Sequence, residues 1–447
     1  MSMKKTKEPI TEIPPYEPDI IEKDLYTLFP PEWLKQAAKE TGLIERERKV
    51  TAVEMFWVLV NSYGVRLARN LAFIKRNYEK CSNKKLSDSS WYERFTPELV
   101  AFLKLCVTHG IEQLANEQTK VLNEKIAKFQ DVMIQDSTII RLHKSLAKKF
   151  PAARSRTVAA GVKVSLLVSA VANSPKSITI HPESTNELKT LRIGPWIKDR
   201  ILLIDLGFYK HLLFAKIKDN GGYFVSRLKG SADPLIVDVH NMCRGNSIDV
   251  KGKYISEILP KLKRQVLDVE VEVSFKKPNY NGKSKTRMDT EQFRLVAVYN
   301  EDEEKYHVYL TNITKDVLEA EDVAKLYGAR WDIELIFKEL KSRYALDVVN
   351  TKNTQIIEAF IWISILTLLV SRRIYSLVRK YNPKDVGSRF TQLRWSTIFA
   401  ENADKQLTLI LRYYGIERTI LTVMNVYSSQ ALDPHVSRYR FRDDWWA

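Results

Sequence analysis

Cysteine is scarce in this chain: 447 residues carry three, Cys81, Cys106 and Cys243, and none stands at the paired spacing that a zinc site or a disulfide framework needs. That pattern excludes a stapled secreted scaffold and suits a reducing compartment. The seven histidines are scattered, so none is assigned to catalysis or to a metal. Long apolar runs are missing as well. The strongest, Ala359 to Val370, contains Ser364 and Thr367 and falls short of the roughly 18 residues a spanning helix needs, so it is expected to form a buried core helix, and no membrane partner is expected. The first residues lack an apolar run followed by a small-residue cleavage site, which gives no indication of secretion. No internal repeat or low-complexity tract stands out.

What the chain has in excess is positive charge. Lys and Arg number 71 against 54 Asp and Glu, a net charge of +17 spread along the sequence, as expected for a protein whose partner is a polyanion. Charge alone does not separate DNA, RNA and anionic lipid. The length allows two or three domains, and a hydrophobic fraction of 45% supports a globular core.

Taken in order, residues 1–30 are rich in Pro, Glu and Lys and are expected to form a flexible arm. Residues 31–130 have helical periodicity. Thr51 with Glu54 makes a capping box, Thr96 and Pro97 mark a second helix start, and the pattern continues to Lys128. Between them, Ser87 to Phe95 fits the second helix of a helix-turn-helix, with Ser89, Ser90, Tyr92 and Arg94 available to face DNA; a plain helical bundle accounts for the same residues. From Asp131 the period changes. DVMIQDSTIIRL, GVKVSLLVSA and SITIHPE give three strands, a helix is expected from the caps Ser184, Thr185 and Asn186 to Lys198, and ILLIDLGF, KHLLFAKIKDN and GGYFVSRLK give strand, helix and strand. This is an α/β unit over 131–230 with a mixed sheet. Residues 231–312 are β-rich and interrupt it, 313–376 resume helical pattern, and 377–447 form a helical C-terminal region in which a dimer contact is expected.

The stretch Tyr327 to Lys341, YGARWDIELIFKELK, is the most informative. As one helix, Tyr327, Arg330, Glu334 and Lys341 fall within about 60° of one another, an outward face of acid, base and phenol opposite Ile333, Ile336, Phe337 and Leu340. An exposed helix with pairs from Arg330 to Glu334 and Glu334 to Lys338, each worth roughly a few tenths of a kcal/mol, explains the same charges. Two other carboxylates change the balance. Asp136 ends the apolar run VMIQ and Asp205 ends ILLI, and a carboxylate ending a buried strand is costly unless it is paired, hydrogen-bonded or bound to a cation. If the two strands are neighbours and the Tyr327 helix crosses the sheet, Glu334 joins them. Such an all-oxygen set favours Mg²⁺ or Mn²⁺, two ions of which can drive phosphodiester cleavage.

The spacing of Tyr327, Arg330, Glu334 and Lys341 resembles the YREK signature of the IS-four family of bacterial insertion-sequence transposases. Asp136-Ser137-Thr138 and Asp205-Leu206-Gly207-Phe208 are similar to that family's first and second motifs, in the same order and with a β-rich segment before the Glu. The resemblance implies an RNase H-like catalytic core interrupted by a β-rich insertion and flanked by helical regions. It implies a catalytic and metal-binding triad of Asp136, Asp205 and Glu334 with two Mg²⁺ or Mn²⁺ ions, and DNA contacts from Tyr327, Arg330 and Lys341. It also implies double-stranded DNA partners, transposon ends and target, a homodimer that joins two ends, and a cytoplasmic, nucleoid-associated place in a bacterium. Some relatives stack a Trp of the insertion on an extruded base; this chain has no Trp between Trp196 and Trp331.

Two basic stretches add candidates. Lys276 to Arg287 carries five cations and Tyr280, so Lys283, Lys285 and Arg287 are expected to grip DNA and Tyr280 to stack on a base; a solvated hairpin tip is the alternative. Lys144 to Thr157, with Lys148, Lys149, Arg154 and Arg156, suits a mobile solvated loop or a DNA track, and Lys163 on the second strand is expected to point toward the sheet's active edge. A DNA-cleaving and strand-joining enzyme is thus expected. The alternatives are a transposon-derived repressor without chemistry and a structure-selective nuclease.

Overall fold

The computed structural model describes residues 19–63, 71–82, 86–115, 122–153, 158–240, 242–243, 246–247, 249–277, 287–347, 351–387 and 389–413. Its contacts divide the chain into two compact units, one from residues 1–117, 140–161 and 335–438 and the other from 118–139, 162–334 and 439–447.

The first unit is helical. Helices α1 (Ile20–Leu28), α2 (Pro31–Glu40), α3 (Ala52–Tyr63), α4 (Leu71–Ser82), α5 (Asp88–Tyr92) and α6 (Pro97–Ala115) precede the sheet. The expected capping box forms: Thr51 Oγ1 donates to Glu54 at 2.8 Å and accepts from the Glu54 N–H at 3.3 Å. Ser87 caps α5 by accepting from the Ser90 N–H at 3.2 Å. That helix has five residues, too short to lie along a groove as the second helix of a helix-turn-helix, and the Arg94 guanidinium beyond it is half-buried rather than offered outward. Among the described residues between α6 and Lys128, Glu124–Ile126 form a 3₁₀ turn rather than a continuation of the helix.

The segment around Ala359 to Val370 lies inside a helix much longer than its apolar run. It is 28 residues, Thr354–Tyr381. Long and apolar enough to cross a membrane, it is instead covered by α1, α3 and α6 over most of its length.

The second unit is built on one nine-stranded sheet. Its strands are β1 (Asp131–Leu142), β2 (Ala160–Ser169), β3 (Ser174–Pro182), β4 (Arg200–Ile204), β5 (Tyr223–Arg227), β6 (Leu235–Val239), β9 (Val266–Lys277), β10 (Arg287–Asn300) and β11 (Lys305–Thr311), while β7 (Met242–Cys243) and β8 (Asn246–Ser247) form a separate small ribbon. The order is β3-β2-β1-β4-β5-β11-β10-β9-β6, with β1, β4 and β5 parallel and the pairs β2–β3, β5–β11, β11–β10, β10–β9 and β9–β6 antiparallel. Central parallel strands must be apolar on both faces, and β4 and β5 are, apart from their ends. The β-rich insertion does not form a body of its own: Thr311 of β11 pairs with Val225 of β5, so the insertion continues the core sheet. A parallel core ending at β5 would leave an open edge, and β11 covers it.

The helix expected between β3 and β4 is absent. Asn186 accepts from the Leu188 N–H at 2.9 Å and closes a single 3₁₀ turn, Glu187–Lys189; a second turn, Pro195–Ile197, follows. Pro195 lacks the N–H that a helix through Lys198 would use.

Helix α7 (His211–Asp219) stacks Phe214 on Phe224 at 4.3 Å, with Phe293 edge-on, and forms one core with Leu202, Ile204, Val269 and Leu295. Asp268 and Arg294 sit between residues of that core on β9 and β10 and therefore face the other side. There they form a two-pronged ion pair at 2.8 and 2.6 Å, and Arg294 also donates to the carbonyls of Ile313 and Leu318, tying down the segment that leads to α9 (Ala320–Gly328). Helix α9 packs on β5, β9, β10 and β11.

Candidate active site

Register alone brings the two aspartates together. Gln135 of β1 pairs with Ile204 of β4 in parallel, so Asp136 and Asp205, one residue beyond, lie side by side at the same level. Asp205 directly follows the end of β4, whereas Asp136 stands inside β1, which runs on to Leu142; this corrects its expected strand-end position. Asp136 accepts the Ser137 N–H at 2.7 Å. Asp205 accepts the Gly207 N–H at 3.4 Å and caps the turn Leu206–Phe208. Asp205 thus also serves its local turn, as a strand-end residue would, while Asp136 is held within its strand.

The Tyr327 to Lys341 stretch is not one helix. Helix α9 ends at Gly328 and α10 (Trp331–Ser342) begins three residues later. Between them the hydrogen bonds tighten to three-residue spacing, Ala329 N–H to Leu326, Arg330 to Tyr327, Asp332 to Ala329 and Ile333 to Arg330. Gly328, costly inside a helix, stands at this elbow. The change of phase separates residues that a single helix would align.

Tyr327 turns inward, which corrects its expected outward, DNA-facing position. It is 8% exposed, its ring lies 5.3 Å from that of Tyr309, and its hydroxyl donates to the Ile204 carbonyl at 3.4 Å. Burial pushes its phenol up to about 12.

Arg330 stays among all three acids. Its guanidinium lies 2.5 Å from Glu334 Oε1, 3.8 Å from Asp136 Oδ2 and 3.8 Å from Asp205 Oδ1. The expected convergence of Asp136, Asp205 and Glu334 is therefore realised, with a cation of the protein's own in the middle. Burial lifts the Asp136 carboxyl to about 6; Asp205 and Glu187 add repulsion, partly offset by the Ser137 N–H and Arg330.

The other candidates fall elsewhere. Lys163 is buried rather than offered to DNA: its ammonium donates to the Thr185 carbonyl at 2.7 Å and lies 3.9 Å from Glu187. Lys341 is half-buried in the last turn of α10, in the first unit. Arg287 is exposed at the start of β10, 3.3 Å from Asp289. Tyr280, Lys283 and Lys285 lie outside the described residues, as do Arg154 and Arg156.

Two neighbours of the centre were not singled out in the sequence. Glu187 approaches from the turn after β3, and Arg227 ends β5 directly after Ser226, the partner of Ile204. The Asn cap before Glu187 marked a turn but not its destination.

As a donor set, Asp136, Asp205 and Glu334 offer only carboxylate oxygens, the chemistry that hard divalent cations select. Among the described residues no three acidic, His or Cys side chains stand close enough to hold one ion, because Arg330 lies between these three. The residues fit the cation by type; drawing them onto an ion requires displacing that guanidinium.

Comparison with known proteins bears on the whole chain. Residues 127–370 match the transposase DDE domain. The transposase for insertion sequence element IS231F of Bacillus thuringiensis subsp. israelensis is 24% identical over 383 residues, covering 76% of each chain. That for IS1151 of Clostridium perfringens is 23% identical over 389 residues, covering 79% of this chain and 81% of its own. A putative transposase InsL for IS186A of Escherichia coli (strain K12) is 35% identical over a shorter 108 residues, 24% of this chain and 29% of its own. Among solved structures, a piggyBac transposase synaptic complex with hairpin DNA superposes with a TM-score of 0.44 at 11% identity, over 94% of this chain and 87% of that one. With the domain match spanning more than half its length, the chain belongs to the transposase DDE domain family.

Proposed function

We propose that this protein is an insertion-sequence transposase that cuts DNA at the element's ends and joins them to a target, using Asp136, Asp205 and Glu334 as its catalytic carboxylates. The observation that carries the reading is the meeting of those three acids, from two neighbouring parallel strands and a helix, around Arg330. When bound, two Mg²⁺ or Mn²⁺ ions would activate the attacking water or 3′-hydroxyl and stabilise the leaving oxygen.

The chain's own residues prepare that chemistry. Ser137 and Gly207 aim the two aspartates through backbone N–H bonds, and Tyr327 ties the helix elbow to the end of β4. Arg330, displaced from the carboxylates, would face the scissile phosphate, a role that a planar guanidinium suits. Lys341 and the basic segment Lys276 to Arg287 are proposed to hold the duplex through its backbone, with Tyr280 stacking on a base. Two ends must be cut together, so the working form is proposed to be a homodimer.

The test is to incubate the protein with Mg²⁺ and duplex DNA carrying the element's terminal repeat and to follow cutting and joining. Metal-dependent cleavage that disappears in Asp205→Ala is expected. Cleavage that survives this substitution removes Asp205 from the centre, and tight end binding without cleavage by the wild-type chain points to a repressor instead.

A further inference from the structure

We infer that Glu187 is a positioning residue of the acidic centre, braced by Lys163 against the two residues that aim Asp136 and Asp205. This rests on the reading of those aspartates and Glu334 as cation ligands. The brace begins in the β2–β3 hairpin, where Lys163 pairs with His181 and Val162 with Pro182. Beyond Pro182 the chain turns back, Asn186 caps the turn Glu187–Lys189, and the buried Lys163 ammonium pins that turn through the Thr185 carbonyl at 2.7 Å.

Pinned there, the Glu187 carboxylate reaches the residues next to both aspartates. Ser137 Oγ donates to Glu187 Oε1 at 3.3 Å while the Ser137 N–H donates to Asp136 at 2.7 Å, so Ser137 is held from two sides. On the other strand, the turn Leu206–Phe208 packs against the turn that carries Glu187. A Cβ on Gly207 would lie 1.9 Å from Glu187 Oε2 and 3.0 Å from its Cδ. The backbone at Gly207 is not in the left-handed region, so the glycine serves space rather than conformation. Gly207 also gives its N–H to Asp205. One side chain thus touches both residues that orient the aspartates.

Lys163 explains why the acid is fixed rather than loose. Its side chain is 7% exposed, and a buried ammonium needs a compensating partner; the Thr185 carbonyl and Glu187, 3.9 Å away, supply it. Supports of this kind around a metal centre are typically worth about 10–100-fold in metal affinity or activity.

The experiment is calorimetric titration of the full-length chain with Mn²⁺ in the absence of DNA, alongside thermal unfolding. Glu187→Gln, which keeps the shape, is expected to weaken Mn²⁺ binding about tenfold or more while the chain still unfolds cooperatively, with its midpoint lowered only by the loss of the acidic partner of Lys163. Glu187→Asp keeps the charge but withdraws it from Ser137, and is expected to weaken binding too. Gly207→Ala should weaken Mn²⁺ binding in the wild-type background and have less than about a twofold effect where Glu187 is already Ala, because the clash partner is gone. Mn²⁺ affinity unchanged in Glu187→Gln, or an equal effect of Gly207→Ala in both backgrounds, overturns the inference. Asp205→Ala separates the two levels: if it loses Mn²⁺ while Glu187→Gln keeps it, only the brace fails, and if it keeps Mn²⁺ the cation centre fails and the brace with it.

Discussion

Arg294 and Arg330 both face acids in the same sheet unit, and they are partnered in opposite ways. Arg294 makes a two-pronged pair with Asp268, spends its remaining donors on two carbonyls, and is 1% exposed. Arg330 divides itself among three carboxylates, one at 2.5 Å and two at 3.8 Å, of which Asp205 and Glu334 are partly exposed to solvent. The first arrangement is saturated and has nothing to offer a ligand. The second leaves more negative charge than one guanidinium neutralises, and this is the condition under which further cations or phosphate enter.

Four substitutions bear on this contrast. The largest effect is expected on the open side, where Glu334→Ala should reduce end cleavage by roughly a thousandfold or more, since metal-assisted charge stabilisation is worth several kcal/mol. Its unfolding midpoint should stay close to wild type; a matching loss of stability would make Glu334 structural.

On the closed side, Arg294→Ala strands a buried Asp268 and should cost about 3–5 kcal/mol in urea unfolding. The apolar pair Arg294→Met with Asp268→Leu should recover most of it. A small loss in the single variant would erase the difference between the two arginines.

Asp136→Asn comes third. The Asp136 carboxyl, ordinarily near 3.8, is raised to about 6. A raised acid lends stability that is complete below the unfolded value and is lost as pH rises through the folded one. With chelator present, Asp136→Asn should therefore be more stable than wild type at pH 7 by on the order of 2–3 kcal/mol, and the gap should close below about pH 4. A gap independent of pH would show that charge crowding is not its source.

Smallest is Arg330→Gln, expected to lower stability in chelator by about 1 kcal/mol, since its longer contacts are weak. Added Mn²⁺ should restore the loss. A cost equal to that of Arg294→Ala would mean that Arg330 is also a closed structural pair.

The sequence made Asp205 legible because strand periodicity is short-range: the apolar run ILLI fixes where β4 ends, and Asp205 stands there, while Asp136 lies inside a strand that continues past VMIQ to Leu142. Their meeting with Glu334 was implied by the resemblance of the three motifs to those of the family, not by periodicity. Phase was harder to see. Tyr327 and Arg330 appeared to share a face because a helical wheel assumes constant winding, and the three-residue bonds at the elbow break that assumption. Lys163 looked like a DNA contact because its burial depends on a turn more than twenty residues away, and Glu187 was invisible for the same reason. The pairing of β11 with β5, which fuses insertion and core into one sheet, is likewise a long-range choice that alternation does not encode.

That fused sheet also sets a reach. Strand β11 flanks β10 only from Arg294 onward and β6 flanks β9 only as far as Glu272, while β9 and β10 remain paired out to Lys277 and Arg287. Beyond Gln292 and Glu272 the last five rungs, from Glu291 with Val273 to Arg287 with Lys277, form a two-stranded beam of roughly 17 Å. Measured against a duplex, that is a span of about five base pairs. Lys276, Lys277 and Arg287 stand at the far end of that beam, so in the proposed reading the length of this ribbon, and not only its charge, sets where along a duplex these basic side chains would land.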